Sequence, residues 1–541
     1  MRNKKVITLM LVFVMSLTII LSGCGNKGSK STGKTEEINT TVDDDGKING
    51  LMYKEGLPIV DPEEEYSFSI FTDGNKTTDE FYLMPVLEEQ TGVNVDVQLF
   101  PYEVAKEKYS LSLNSGDYAD CIGGWIMSAT DILRFGVEMG TFIPLEGYFE
   151  KFAPNIQKVL ELEGVREIMT APDGHIYSVP YVLAAPKVDF NPYINTRWLE
   201  NLGLEVPTTT EELRDVLQAF KENDANGNGD PNDEIPFSFD PVNKKLGYYA
   251  GWFGMPVNDY GFTMVDGELT FGANSDAYKN MIKYMRDLYG EGLLDPEMFT
   301  IDQAQWKAKG STDIYGVAMM YGSGDIMPFE AGEMPDWVPL PVLSSEFTDK
   351  PLWFRDSYGT TVLKNQVVIT DNAKDPEVIV RWWDNMFELE NSIQTNGGPL
   401  NKVVFKDGDN YYTDNSKLTE EEKDTYSWVN LYPQSLPRYI PTDFEFVEKN
   451  PIFKEKENVD KMYEPNLVSH TIPPYWATAE ESSRLSDLQT VISDYIKEKT
   501  AQWIAGQANV DEDWDNYIKQ LEKLNLNEYI EMRLNALNKN K

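Results

Sequence analysis

Three segments decide the fold: Ser67-Phe68-Ser69-Ile70-Phe71, Val93-Asn94-Val95-Asp96-Val97-Gln98-Leu99 and Ala119-Asp120-Cys121-Ile122-Gly123-Gly124. The first two alternate apolar and polar residues, the two-residue period of a half-buried strand, and the third reads as a fully buried one. Residues 72–76 are turn-like, and residues 80–91 and 106–115 read as helices. Strand, helix, strand, helix, strand predicts right-handed βαβ units on a parallel sheet, hence an α/β fold.

The same grammar recurs downstream. Residues 208–223 read as a helix, with Thr208-Thr209-Thr210 before Glu211-Glu212 supplying cap candidates. Residues 276–290 and 376–389 read as helices, the latter carrying Trp382 and Trp383 with core as the expected place for them. Residues 314–320 and 359–370 read as strands. From 478 onward, three helices are expected over 478–506, 511–524 and 527–538, a helical C-terminal region.

Upstream, Arg2, Lys4 and Lys5 precede the apolar run 6–21, and Leu21-Ser22-Gly23-Cys24 closes it. Basic, apolar, then small residues is the pattern of a secretory signal, too short for a comfortable transmembrane helix. Cysteine directly after Leu-Ser-Gly resembles a bacterial lipobox. The resemblance implies cleavage before Cys24 and its acylation there; the plain alternative is an ordinary signal with a chance cysteine. Several acyl chains hold a protein durably on a membrane, which places the remainder on the extracellular face. Residues 25–56 are rich in Gly, Ser, Thr, Lys, Asn and Asp and are expected to be a disordered tether, with order beginning near Tyr66.

The 541 residues are too many for one core. With 48 basic against 89 acidic residues, the net charge of −41 repels nucleic acid and anionic headgroups. Once Cys24 is lipidated, Cys121 has no partner, so no structural disulfide is expected.

Ordered short stretches carry a resemblance. They are Leu113-Asn114-Ser115-Gly116-Asp117-Tyr118-Ala119-Asp120, Ile143-Pro144-Leu145 before Ala153-Pro154-Asn155-Ile156, and Asp173-Gly174-His175-Ile176-Tyr177-Ser178-Val179-Pro180-Tyr181. Asn195-Thr196-Arg197-Trp198-Leu199, Gly203-Leu204, Pro207-Thr208-Thr209, Asp313-Ile314-Tyr315-Gly316-Val317-Ala318-Met319 and Asp513-Trp514-Asp515-Asn516-Tyr517 follow in the same order. Together they resemble the extracellular solute-binding proteins of ABC importers, carbohydrate-type, family 1, and more narrowly LipO-type lipoproteins and alginate-oligosaccharide binders. The resemblance implies a two-lobed type II periplasmic-binding-protein-like fold with ligand in the cleft between two α/β lobes. It implies three crossings, near Tyr181, Pro341 and Asn391. The expected organisation is a signal peptide (1–23), a tether (24–60), a first lobe (61–181 and 342–390) and a second lobe (182–341 and 391–541). The implied role is a monomeric, membrane-anchored binder that delivers an oligosaccharide to ABC transporter permease subunits. A surface receptor feeding a sensor, and a peptide-binding lipoprotein, stay open as alternatives.

Asp224-Ala225-Asn226-Gly227-Asn228-Gly229-Asp230-Pro231-Asn232-Asp233-Glu234 follows a helix. Oxygen side chains at loop positions 1, 3 and 5 with glycine at 6 match the first half of an EF-hand loop, whose hard oxygens suit Ca2+. The second half departs, because Ile235 stands where the bidentate glutamate belongs. The resemblance to alginate-binding relatives implies that Asp233 and Glu234 complete a structural calcium shell. Candidate ligands are Asp224, Asn226, Asn228, Asp230, Asp233 and Glu234, with the coordinating group of Asp230 open. The plain alternative is an Asx-rich turn without an ion.

Sugars present apolar faces and a hydroxyl rim, so aromatic platforms with polar neighbours are the sought chemistry. Asp73 and Asn75 follow the first strand, and Trp125 follows Gly123-Gly124. Trp252 and Phe253 lie between two glycines, Trp353 and Tyr358 flank Arg355 and Asp356, and Trp476 follows Pro473-Pro474-Tyr475. These eight are the ligand-site candidates. Arg197, Arg355 and Arg381 are candidates for a basic cluster if the sugar is a uronate. His175 and His470 are the only histidines, which nearly excludes histidine triads and His₃ zinc sites. No carboxylate pair stands out for glycosidase work, so capture rather than catalysis is expected.

Overall fold

In the computed structural model, residues 38–74, 80–326, 336–441, 444 and 451–538 are described. Nine strands form the two main sheets: β1 (Tyr66–Asp73), β2 (Val93–Phe100), β3 (Cys121–Gly123), β4 (Ser178–Ala184), β5 (Asn191–Asn195), β6 (Ile235–Phe239), β7 (Tyr315–Met320), β8 (Trp337–Pro339) and β9 (Thr360–Ile369). The first lobe's sheet runs β2-β1-β3-β9-β4. β1 pairs in parallel with β2 and β3, as the alternating segments predict, while β9 enters antiparallel between β3 and β4. The second lobe's sheet runs β8-β5-β7-β6.

Each sheet buries its apolar positions under helices. In the first lobe, Trp382 and Trp383 on the helix Pro376–Asn385 are both fully buried, Trp382 edge-on to Phe68 of β1 at 5.6 Å. Asp384 holds the start of the helix Pro154–Leu160 by accepting the N–H groups of Asn155 (2.8 Å) and Ile156 (2.9 Å), and burial pushes its carboxyl up to about 6. In the second lobe, Thr209 caps the helix Thr210–Glu222: its hydroxyl accepts from Glu212 N–H while the Glu212 carboxylate accepts from Thr209 N–H. The helices Ala479–Ile504, Val510–Lys523 and Leu526–Asn538 add Leu485, Ile492, Trp503, Tyr517 and Tyr529 to this lobe's core.

The crossings differ from expectation. The first runs between β4 and β5. The second lies at 357–360 rather than at Pro341, because Trp353 and Phe354 are buried in the second lobe's core. The third is about fifty residues later than Asn391. Tyr439 still bridges Val182 of β4, whereas Glu455 already accepts from Ser323 and Lys456 from its ammonium donates to Asp189 O. Residues 391–440 therefore stay on the first lobe, and 342–357 belong to the second. The first two crossings are stitched together: Asp356 N–H donates to Lys187 O (2.9 Å), and the Asp356 carboxylate accepts from Tyr248 Oη (2.6 Å) and Asp189 N–H (3.0 Å). Burial pushes the Asp356 carboxyl up to about 7.

The tether also ends earlier than read. Lys47–Ile48 and Met52–Tyr53 form an antiparallel hairpin, with Ile48 and Met52 fully buried. Asn49 donates to Glu377 (2.6 Å), and the Arg381 guanidinium donates to Tyr53 O and Gly56 O. Two apolar side chains and a waiting arginine order a segment whose composition is otherwise that of a linker. Cys24 and residues 1–37 lie outside the described residues.

Candidate ligand cleft and calcium loop

Ligands of α/β sheets bind beyond the carboxyl ends of the strands, and the ends of β1 and β3 meet here. Gly124 adopts φ 106°, and a Cβ there would run into Asp73 Oδ1. The close approach lets Trp125 N–H donate to that oxygen at 2.7 Å. Asp73 is thus buried and engaged in holding the β3 loop, not free for ligand hydroxyls as expected; burial raises its carboxyl above the usual range. Trp125 itself projects, 48% exposed. Asn75 lies outside the described residues.

β9 carries a bulge next to this point. Leu363 faces Tyr181 and Val367 faces Val179, so residues 364–366 stand opposite Pro180 alone and two residues are extra on the β9 side. Asn365 donates to Met127 O (2.6 Å), fixing the loop beyond Trp125. The Lys364 ammonium donates to Tyr475 O (2.9 Å) and sits 3.7 Å from the centroid of the Trp476 ring, and burial pulls it down to about 7. Trp476, expected on the cleft surface, is buried against Ile126, Met127 and Phe135 instead, where it joins the C-terminal arm to the first lobe.

The second lobe overturns three more candidates. Trp252, Phe253 and Trp353 are core residues. Gly251 lets the backbone of Leu352 press against it, and Leu352 N–H donates to Gly251 O (2.8 Å). The glycines that looked like a cleft loop instead admit a neighbouring strand-like segment. Trp353 stacks edge-on with Tyr249 (5.5 Å) and Tyr463 (5.6 Å) and donates from Nε1 to Phe190 O (3.3 Å). Tyr358 is exposed as expected; its hydroxyl accepts from Thr471 N–H (3.3 Å). The three arginines do not meet. Arg197 pairs with Asp313, Arg355 with Glu464, and Arg381 holds the N-terminal hairpin.

A segment that sequence reasoning passed over completes the rim. Ser435 Oγ donates to Asp73 O (2.7 Å) and lies 3.0 Å from Thr72 Oγ1, and Leu436 packs against Gly123. Its signal, the paired prolines of Tyr432-Pro433-Gln434-Ser435-Leu436-Pro437, marks an extended stretch but not where it docks. A concavity of about 1340 Å³ lies elsewhere, between residues 54–59, Val86, Gln90, Asn155 and Arg381. Its lining mixes acidic and basic residues, and its two aromatics, Phe152 and Tyr411, are both buried.

The 224–234 loop is folded on its own oxygens. Asn226 and Asn228 donate to the two Asp233 oxygens (3.2 and 2.7 Å), Gly229 N–H to Asp224 Oδ2 (2.9 Å), and Ala225 N–H to Glu234 Oε1 (2.9 Å). Asp224 Oδ1 and Glu234 Oε2 are buried without any hydrogen-bond partner, and burial raises the Glu234 carboxyl. Buried, unpaired carboxylate oxygens are costly unless something positive meets them. Asp230 is spent differently: its Oδ1 accepts from Asn232 N–H (3.2 Å), so its side chain closes the following turn. Among the described residues, no three His, Cys, Asp or Glu side chains are grouped to hold a metal by themselves. An ion held here would draw oxygens from the asparagine amides as well as the carboxylates, a donor set that suits a hard, oxygen-seeking cation better than zinc.

Comparison with known proteins agrees with this architecture. A family model described as "Bacterial extracellular solute-binding protein" matches residues 73–391. The fructooligosaccharide ABC transporter substrate-binding protein FusA of Streptococcus pneumoniae is 29% identical over 559 aligned residues, covering 96% of each chain. Its structure in complex with kestose superposes with a TM-score of 0.71, covering 86% of this chain and 98% of that one, and a structure of its EF-hand mutant with fructo-nystose gives 0.70. Lipoprotein LipO of Bacillus subtilis is 24% identical over 394 residues, 70% of this chain and 74% of its own. The two sheets, the returning β9 and the helical C-terminal arm are those of a type II periplasmic binding protein, and the chain belongs to the bacterial extracellular solute-binding proteins.

Proposed function

We propose that this protein captures an oligosaccharide between its lobes and delivers it to the permease of an ABC importer. What carries the reading is the end-to-end likeness to FusA, over 96% of both chains. The exposed Trp125 at the strand ends supports it chemically. An indole face stacks on the apolar face of a sugar ring, and polar groups on both lobes select the lobes-closed state when ligand bridges them. The crossings knotted at Asp356 are the hinge, and the permease reads the closed form.

Calcium is part of the proposal. Asp224, Asn226, Asn228, Asp233 and Glu234 hold it, and it neutralises the two orphaned oxygens. Its role is structural, pinning the loop between the helix Thr210–Glu222 and β6. Cys24 carries the lipid that keeps the chain at the extracellular face of the membrane. Among the described residues, no helix is long and apolar enough to cross a membrane.

Calorimetric titration of the full-length chain in mild detergent against kestose, nystose, galacturonate oligomers and short peptides tests the reading. Saturable binding of one oligosaccharide class is the expected result. Binding of peptides alone overturns it. Mass spectrometry of the mature N-terminus checks the anchor, expected as an acylated Cys24.

A further inference from the structure

Of the 12 tryptophans, the ten at 198, 252, 306, 337, 353, 382, 383, 476, 503 and 514 are at most 6% exposed. Trp125 and Trp428 alone stand open, at 48% and 56%. A solvated indole forgoes the burial that every other tryptophan in the chain achieves, and large exposed apolar groups mark interaction sites. The two lie 303 residues apart, yet both hang from the end of β1. Trp125 N–H is held by the Asp73 side chain at 2.7 Å. Trp428 opens the short helix Trp428–Leu431, and Gln434 Nε2 donates to its carbonyl oxygen at 2.9 Å. The next residue, Ser435, donates to Asp73 O at 2.7 Å, and Leu436 lies on Gly123 at the end of β3. From the other side, Tyr82 N–H donates to Asn430 O at 3.0 Å, and the rings of Tyr82 and Tyr426 meet edge-on at 5.0 Å. The short helix is therefore clamped over the carboxyl ends of β1 and β3, the edge at which the Trp125 loop begins.

Building on the proposed capture of an oligosaccharide, we propose that Trp125 and Trp428 are two stacking platforms on one rim of the cleft, with Trp428 gripping a sugar unit beyond the one on Trp125. Asp73 is the positioning residue common to both, its carboxylate holding one loop and its carbonyl the other. The pair selects for chain length: a short sugar occupies one platform, and a longer one spans both. Stacking reads the apolar face of a ring and not its individual hydroxyls, so chain length is recognised separately from the hydrogen bonds that select the sugar.

The test is a titration of wild type, W125A, W428A and W428F against sucrose, kestose and nystose, beside a melting curve for each variant. W428A is expected to weaken nystose about ten-fold while leaving the shortest ligand nearly unchanged. W428F restores most of the loss, and melting midpoints shift little because about half of each indole already stands open. Equal affinities of W428A and wild type at every length overturn the platform pair while leaving sugar capture standing. Equal losses at every length overturn the length selection. A wild type that binds no member of this series or of the wider panel overturns the capture reading and the pair with it.

Discussion

Two tryptophans that follow a glycine, Trp252 in the second lobe and Trp125 in the first, meet opposite fates. In the second lobe, Tyr249, Trp252, Trp353 and Tyr463 interlock edge to face at 4.8 to 5.6 Å and are all fully buried. In the first lobe, Trp125 is flanked by glycine in the same manner as Trp252, yet it stays open. The neighbours in sequence are alike; what differs is which distant segment returns. Residues 342–357 come back to cover Trp252, while 428–438 dock on Asp73 and Gly123 and Trp125 stays half open. A glycine next to a tryptophan marks a close approach, and only the tertiary structure says whether backbone or ligand makes it.

Substitutions break this comparison apart by size of effect. W353A is expected to destabilise the chain by about 3–5 kcal/mol, read as a shifted urea midpoint. A change below about 1 kcal/mol would mean that the aromatic block is not a rigid core. Chelation comes next. With free calcium about 100-fold above its Kd, the site stabilises by about 2.7 kcal/mol, so EDTA lowers the melting midpoint, and E234Q removes the dependence on EDTA. A wild type indifferent to EDTA at neutral pH sinks the calcium site.

An effect of similar size belongs to Lys364, whose ammonium is buried beside Trp476 with no carboxylate facing it among the described residues. Its folded value, about 7, lies below the ordinary 10.5. Below pH 7 both folded and unfolded chains hold the proton, and the burial cost is fully present. Between 7 and 10.5 the folded chain has released it and the unfolded chain has not, so stability rises with pH. Wild type should gain stability from pH 7 to 9.5 relative to K364M; parallel melting curves would show that the lysine is solvated. Smallest of all, W125A should alter stability by no more than about 0.5 kcal/mol while weakening sugar binding in the titration.

The local grammar was readable from residues close in sequence. The helix Asp276–Gly290 falls where its pattern put it, and the Thr209–Glu212 box caps the helix expected there. The 224–234 loop was singled out because its oxygens are neighbours in the chain, and the structure folds it on those oxygens. The cleft was not. Trp252, Trp353 and Trp476 are buried by segments tens to hundreds of residues away, and the rim at Ser435 touches Asp73 across 362 positions. The early end of the tether escaped notice because its buried apolar residues, Ile48, Met52, Ile59 and Val60, are too scattered to register as a pattern. The displaced third crossing had no punctuation of its own: 391–440 carries the turn residues that either lobe would accept.

The place of β9 in the first sheet bears on how the chain comes together during export. The second sheet is complete once Pro339 has emerged, whereas β3 and β4 lack the strand that joins them until Ile369 follows. Domains fold as units in the order in which their parts become available. The sheet that begins first is thus closed second, beside a neighbour whose sheet already stands but whose core still awaits the helices from Ala479 onward, and until Ile369 arrives the edges of β3 and β4 stay unpaired.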